Sequence, residues 1–127
     1  MEYATIIVML ALAQYMFFIT RVGRSRVTFD IRAPACTGNE NFELIFRIQQ
    51  NTGEQLIIFI PALFAFSYYV SPLWGPAIGI VYLVGRFVYY YAYLSDPASR
   101  GPGMLMTFIP NAVLALGAII GCVLNLT

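Results

Sequence analysis

Four apolar runs, nearly free of charge and joined by short polar connections, restrict this chain more than any other feature. They extend from Tyr3 to Thr20, Leu56 to Val70, Leu73 to Leu94 and Met104 to Leu126. In lipid the backbone must satisfy its own hydrogen bonds, so runs of this kind become helices. Only 10% of the 127 residues are charged, against about 25% in soluble domains. The pattern predicts an all-α integral membrane protein, a single domain over residues 1–127 built as a four-helix transmembrane bundle. No basic segment precedes the first run and no small-residue cleavage site follows it, so that run is expected to be a retained span and not a signal peptide.

The second run is short by itself and becomes long enough if its helix starts near Asn41. Asn39 or Asn41 can cap the free amides there, and Glu40 and Glu43 suit the helix dipole. A helix from Asn41 to Tyr69 spans roughly 43 Å at about 1.5 Å per residue. That exceeds a hydrocarbon core of about 30 Å, so its first turns should project into water or lie against protein. Pro61 is expected to kink it. Ser71 and Pro72 break the chain, and the cluster of Pro, Gly and Asp from Ser95 to Gly103 reads as a loop. Gly75-x-x-x-Gly79 and Gly117-x-x-x-Gly121 read as places where helices pack closely.

The cations give an orientation. Loop one carries Arg21, Arg24, Arg26 and Arg32, loop three carries Arg100, and the middle connection carries no charge. Loops one and three should share the cytoplasmic face. The expected place is an inner membrane in a prokaryote or the endoplasmic reticulum in a eukaryote. A net charge of +1 supplies no field for nucleic acid. The chain has no Lys and no His, which removes the commonest general base and metal ligand. Cys36 and Cys122 alone cannot hold zinc, and no metal site is expected.

Charged residues within membrane spans are costly and signal function by default. The second helix carries Glu43, Arg47, Asn51 and Glu54, at offsets of four, four and three, which makes one stripe. Gln49 lies on another side, so this helix can serve two neighbours at once. The third helix carries Arg86, Tyr89 and Tyr93 on one stripe, with Arg100 just beyond. Both stripes lie toward the same face. Together they offer guanidinium groups for carboxylates, a carboxylate for an amine, amides and phenolic hydroxyls, a set that suits a small zwitterionic peptide. Two plainer readings stand beside this one. Arg47 or Arg86 can pair with Glu43 or Glu54 inside the bundle. Tyr68, Tyr69 and Tyr82 can form an aromatic belt or face lipid, and Tyr89, Tyr90, Tyr91 and Tyr93 the belt at the opposite interface.

The stretch from Asn41 to Glu54, NFELIFRIQQNTGE, resembles the helix-two signature of the membrane-associated proteins in eicosanoid and glutathione metabolism, the MAPEG family. Arg86, Tyr89 and Tyr93 with a later Arg100 are similar to its helix-three signature. The resemblance implies a homotrimer with a glutathione site between neighbouring protomers. Arg47, Asn51, Glu54, Tyr89 and Tyr93 would hold glutathione, and Gln49 would join across the subunit boundary. Arg86 would support or bind, and Arg100 would stabilise the thiolate as the catalytic residue. Gln55 stands where the leukotriene-synthesising members carry a Tyr. A first-loop arginine, Arg21, Arg24 or Arg26, would add a carboxylate contact, with Arg24 taken as the candidate.

The implied activity is a membrane-bound glutathione transferase, with a possible peroxidase side, acting on a lipophilic electrophile drawn from the bilayer. Glutathione is the co-substrate. The alternatives are a non-catalytic lipid-binding or lipid-presenting scaffold and a small transporter that uses the buried charges as a relay. Retention of Asn51, Glu54 and Arg100 favours the enzyme.

Overall fold

The computed structural model describes residues 1–127 as four long helices. They are α1 (Glu2–Phe29), α2 (Glu40–Tyr69), α3 (Trp74–Ser95) and α4 (Gly101–Leu126), with a 3-10 turn, Pro97–Arg100, leading into α4. Three stretches are long and apolar enough to cross a membrane by length and composition: α1, α3 and the turn with α4. By that measure the fourth span of the sequence expectation is not met. The polar stripe of α2, from Glu43 to Glu54, dilutes what is otherwise a 30-residue helix.

Short connections force neighbouring helices to run in opposite directions, and side-chain pairings confirm it. Glycines set two of these pairings: Ile7 meets Gly79 between α1 and α3, and Gly103 meets Tyr89 between α4 and α3. Gln14 Nε2 donates to the Leu83 carbonyl at 3.0 Å and Arg21 Nε to the Tyr90 hydroxyl at 2.9 Å, so α1 and α3 are parallel. Gln55 pairs with Asn111 and Phe66 with Gly117, so α2 and α4 are parallel too. The α1–α2 and α3–α4 connections therefore share one end of the bundle, as the cation pattern requires. Both termini lie at the other end.

The start of α2 follows the sequence closely. Asn39 is extended, and its side-chain oxygen accepts from Asn41 N at 2.9 Å and Phe42 N at 3.2 Å. Two other boundaries differ. The first helix does not stop at Thr20 but runs on to Phe29, since nothing between those residues breaks it. Arg21, Arg24 and Arg26 are thus helical and not in a loop. Arg26 then ties down the connection, with Nη1 donating to the Ala35 carbonyl at 2.7 Å and its guanidinium over the Phe42 ring. The expected loop from Ser95 to Gly103 is mostly helical. Asp96 caps the 3-10 turn, and Pro102 falls in the first turn of α4, where its missing N–H costs nothing. Proline there opens a helix instead of breaking one. Pro61 lies within a continuous α2.

The half of the bundle nearer the termini holds the larger apolar core. Phe59 and Tyr82 stack face to face at 3.9 Å between ring centroids, with Leu63, Ala4, Ala11 and Leu114 around them. The paired small residues act as expected. A Cβ on Gly79 would sit 2.7 Å from Ile7 Cγ2, and one on Gly117 would meet the Phe66 ring at 2.5 Å. Tyr82 is fully buried, so it is core and does not belong to an aromatic belt; Tyr68 and Tyr69 do face outward.

Candidate active site

At the end opposite the termini, α2, α3 and the start of α4 enclose a cavity of about 240 Å³. Arg47, Gln50, Asn51, Glu54, Tyr89, Tyr93, Arg100 and Met104 line it. Helical spacing explains the α2 wall, because residues 47, 50 or 51 and 54 repeat at three and four and so share a face. The α3 wall follows the same rule through Tyr89 and Tyr93, whose rings stack at 5.4 Å with a 9° tilt. Gly103 lets α4 close the cavity. A Cβ there would lie 2.5 Å from the backbone nitrogen of Tyr89, so only glycine allows this approach. The 3-10 turn then carries Arg100 to the rim, its guanidinium 5.8 Å from the centre of the Tyr93 ring.

The charges in this cavity have no ionic partners in the protein. Its one ion pair is between the terminal ammonium and Glu2. Arg47, Glu54 and Arg100 are each exposed, and none reaches an opposite charge within ion-pair distance. The reading in which Arg47 or Arg86 pairs with Glu43 or Glu54 is therefore overturned within the protomer. Arg47 and Glu54 line the cavity from α2 and Arg100 from the 3-10 turn, while Glu43 accepts from the Gly38 N–H at 3.4 Å. Charged groups left unpaired beside a concave surface are what a zwitterionic ligand requires.

Six residues singled out from the sequence thus converge: Arg47, Asn51, Glu54, Tyr89, Tyr93 and Arg100. Arg86 lies behind the wall, fully buried, and donates from Nη1 to Asn51 Oδ1 at 2.8 Å. Gln49 faces another way. It lines a groove between α1 and α2 and donates to the Tyr15 hydroxyl at 3.0 Å. Arg24 is exposed on α1 and lines no wall of this cavity. Gln55 also turns away, and its Oε1 accepts from Asn111 Nδ2 of α4 at 2.9 Å. It works as a helix clamp and not as a cavity residue. The belt reading fails for Tyr89, Tyr90 and Tyr93, which are buried; of the four only Tyr91 is exposed.

Sequence reasoning missed Gln50 and Met104. Gln50 falls on the Arg47–Glu54 stripe by the alternative three-then-four spacing, a signal that was present. Met104 carried none, since it becomes a wall only because Gly103 brings the first turn of α4 against Tyr89.

Comparison with known proteins gives the chain's family. The profile of the MAPEG family matches residues 4–120. The chain is 36% identical over 115 residues to an uncharacterized protein of Synechocystis sp., covering 91% of this chain and 84% of that one. It is 32% identical over 112 residues to microsomal glutathione S-transferase 2 of Homo sapiens, covering 88% and 74%. It is 30% identical over 84 residues to leukotriene C4 synthase of Cavia porcellus, covering 66% and 56%.

Proposed function

Because the chain belongs to the MAPEG family, a family of multi-pass membrane proteins, we propose that it is a glutathione transferase acting on lipophilic electrophiles. The observation that carries this is the cavity in which Arg47, Glu54 and Arg100 face one another with no ionic partner. Glutathione supplies the missing partners. Its carboxylates take Arg47, its ammonium takes Glu54, and its amides and carbonyls take Asn51 and the Tyr89 and Tyr93 hydroxyls. The thiol then lies toward Arg100.

The chemistry follows from charge. A thiol of pKa about 8.5 is only a few per cent thiolate near pH 7. A cation within about 4–6 Å favours the charged form by about 1–3 units. Arg cannot take up the proton, so Arg100 acts electrostatically and the proton leaves to water. The thiolate sulfur attacks the electrophilic carbon, forms the thioether and displaces the leaving group or adds across the activated bond. Met104 gives the cavity an apolar edge on the α4 side, where a lipophilic electrophile from the bilayer can approach. A lipophilic hydroperoxide could meet the same thiolate: the sulfur takes the terminal oxygen as the O–O bond breaks, the alcohol leaves, and a second glutathione converts the sulfenic acid to glutathione disulfide and water, which would give a peroxidase side activity.

A homotrimer with its sites between subunits belongs to the same proposal. Glu54 and Gln50 are exposed halfway along α2, and Ile57 on the next turn is 74% exposed. A carboxylate there is costly against lipid, so another copy of the chain covers this face. Gln49 and Arg24, which lie outside the cavity of their own protomer, would then serve that of a neighbour. The arginine-rich end supports a cytoplasmic side for the site.

Purified protein in detergent, supplied with glutathione and a generic aromatic electrophile, should form the thioether at neutral pH, and Arg100→Ala should lose this turnover. Bound but unreacted glutathione in both would send the search to other electrophiles. Absence of glutathione binding would end the proposal in favour of the lipid-binding scaffold.

A further inference from the structure

Arg86 is the one charged side chain that the fold buries completely, and it stands just outside the cavity lining. A guanidinium keeps its charge at any accessible pH. The protein offers it no carboxylate within ion-pair distance, and its Nε and Nη2 have no hydrogen-bond partner. Two contacts set its geometry. Nη1 donates to Asn51 Oδ1 at 2.8 Å, and the guanidinium carbon lies 4.4 Å from the centre of the Tyr89 ring. Both partners line the cavity, one from α2 and one from α3.

The donor inventory decides what this does. A primary amide has one end that accepts and one that donates, and a guanidinium can only donate. Asn51 must therefore turn its oxygen to Arg86, which leaves Nδ2 as the end offered to the cavity. We propose that Arg86 is a positioning residue that fixes the polarity of Asn51, making it a hydrogen-bond donor toward a carbonyl or carboxylate oxygen of glutathione. The same side chain holds the Tyr89 ring from behind, so one buried group registers the α2 wall against the α3 wall. Without it the Asn51 amide is free to turn over and offer an acceptor to the same ligand atom. This inference rests on the glutathione reading of the site and deepens it.

The test uses the full chain in detergent and reads two quantities, the glutathione dissociation constant and the Tm of the ligand-free protein. Asn51→Asp keeps the shape and the acceptor that Arg86 needs, so its Tm should hold or rise. Its cavity end becomes an oxygen, so glutathione affinity should fall by about 30-fold, the scale of one lost charge-assisted hydrogen bond. Affinity within threefold of wild type would overturn the proposal. Arg86→Gln should weaken glutathione at least tenfold in the wild-type background and less than threefold in an Asn51→Ala background. Losses that multiply independently would mean that Arg86 does not act through Asn51. Where Arg86→Gln fails to fold, the Asn51→Asp comparison decides alone. A wild-type protein that binds no glutathione overturns the underlying reading, an outcome distinct from binding that ignores the polarity of residue 51.

Discussion

The two ends of the bundle use the same helices for opposite purposes. At the end with the termini, small residues let helices touch. Gly79 admits Ile7, Gly117 admits the Phe66 ring, and Phe59 lies flat on Tyr82. At the other end the helices part around a cavity, and three charged side chains face it with no ionic partner. Stability therefore resides at one end and binding capacity at the other. Each charge held beside lipid without a counter-ion costs stability, and the packed end offsets that cost. Gly103 is where the two regimes meet, a close glycine contact that shapes the cavity itself.

The contrast can be broken by substitution, and the largest effect should come from Arg100→Ala. Losing one preorganised electrostatic group costs about 10²-fold or more in turnover, while glutathione binding and Tm should change little because Arg100 is exposed and unpaired. The pH profile sharpens this. In wild type the rate should rise with pH through a thiol pKa held about 1–3 units below the free value of about 8.5. In the variant that midpoint should move up toward the free value. A loss of Tm with no change of midpoint would assign Arg100 to the fold.

Glu54→Ala comes next. It should weaken glutathione by about 10- to 100-fold, as expected for a charged hydrogen-bonding group, and leave the ligand-free stability within about 0.5 kcal/mol. Titration calorimetry and thermal melts check both. Parallel losses of affinity and stability would show that Glu54 has a partner in the assembled protein.

Gly79→Ala tests the packed end. The added methyl meets Ile7 and Phe59, and overpacking of this kind costs about 1–3 kcal/mol. Glutathione affinity of the folded fraction should stay at the wild-type value. Gly103→Ala should lower both quantities, since the methyl would push α4 away from Tyr89. If the two glycine variants behave alike, the division between the ends is wrong.

The smallest effect belongs to Arg24→Ala. An exposed guanidinium away from the cavity wall is screened by salt, and its contribution is about 0–1 kcal/mol. Affinity should fall by no more than about fivefold, less at high ionic strength. No loss at all would take Arg24 out of the neighbouring subunit's site, and a larger one would make it a buried contact there.

Much of this was legible in the sequence, for physical reasons. Lipid leaves the backbone few choices, so apolar runs gave the helices and the cations gave their direction. The α2 stripe was visible because polar residues at spacings of three and four stand out in an apolar helix. The α1 and α4 boundaries are less legible, because composition marks Arg21 to Arg26 and the Pro-Gly segment 101–103 as loop, while nothing in their backbone chemistry forbids a helix. Burial was the least legible. Tyr82 and Tyr89 to Tyr91 look alike in sequence, and only packing separates Tyr91, which faces outward, from Tyr82, which stacks on Phe59. The assignment of Arg86 to the wall behind the cavity likewise needed a third dimension, because its stripe also holds Tyr89 and Tyr93, which do line it.

In the proposed function, glutathione completes the charges that the protein leaves unpaired and is held there as a thiolate. The most direct measurement is a glutathione titration at neutral pH, following thiolate absorbance on purified wild-type protein and on Arg100→Ala. Wild type should show saturable binding with a thiolate signal, and the variant binding without that signal. Saturable binding with equal thiolate in both, or no binding at all, would contradict the proposed function.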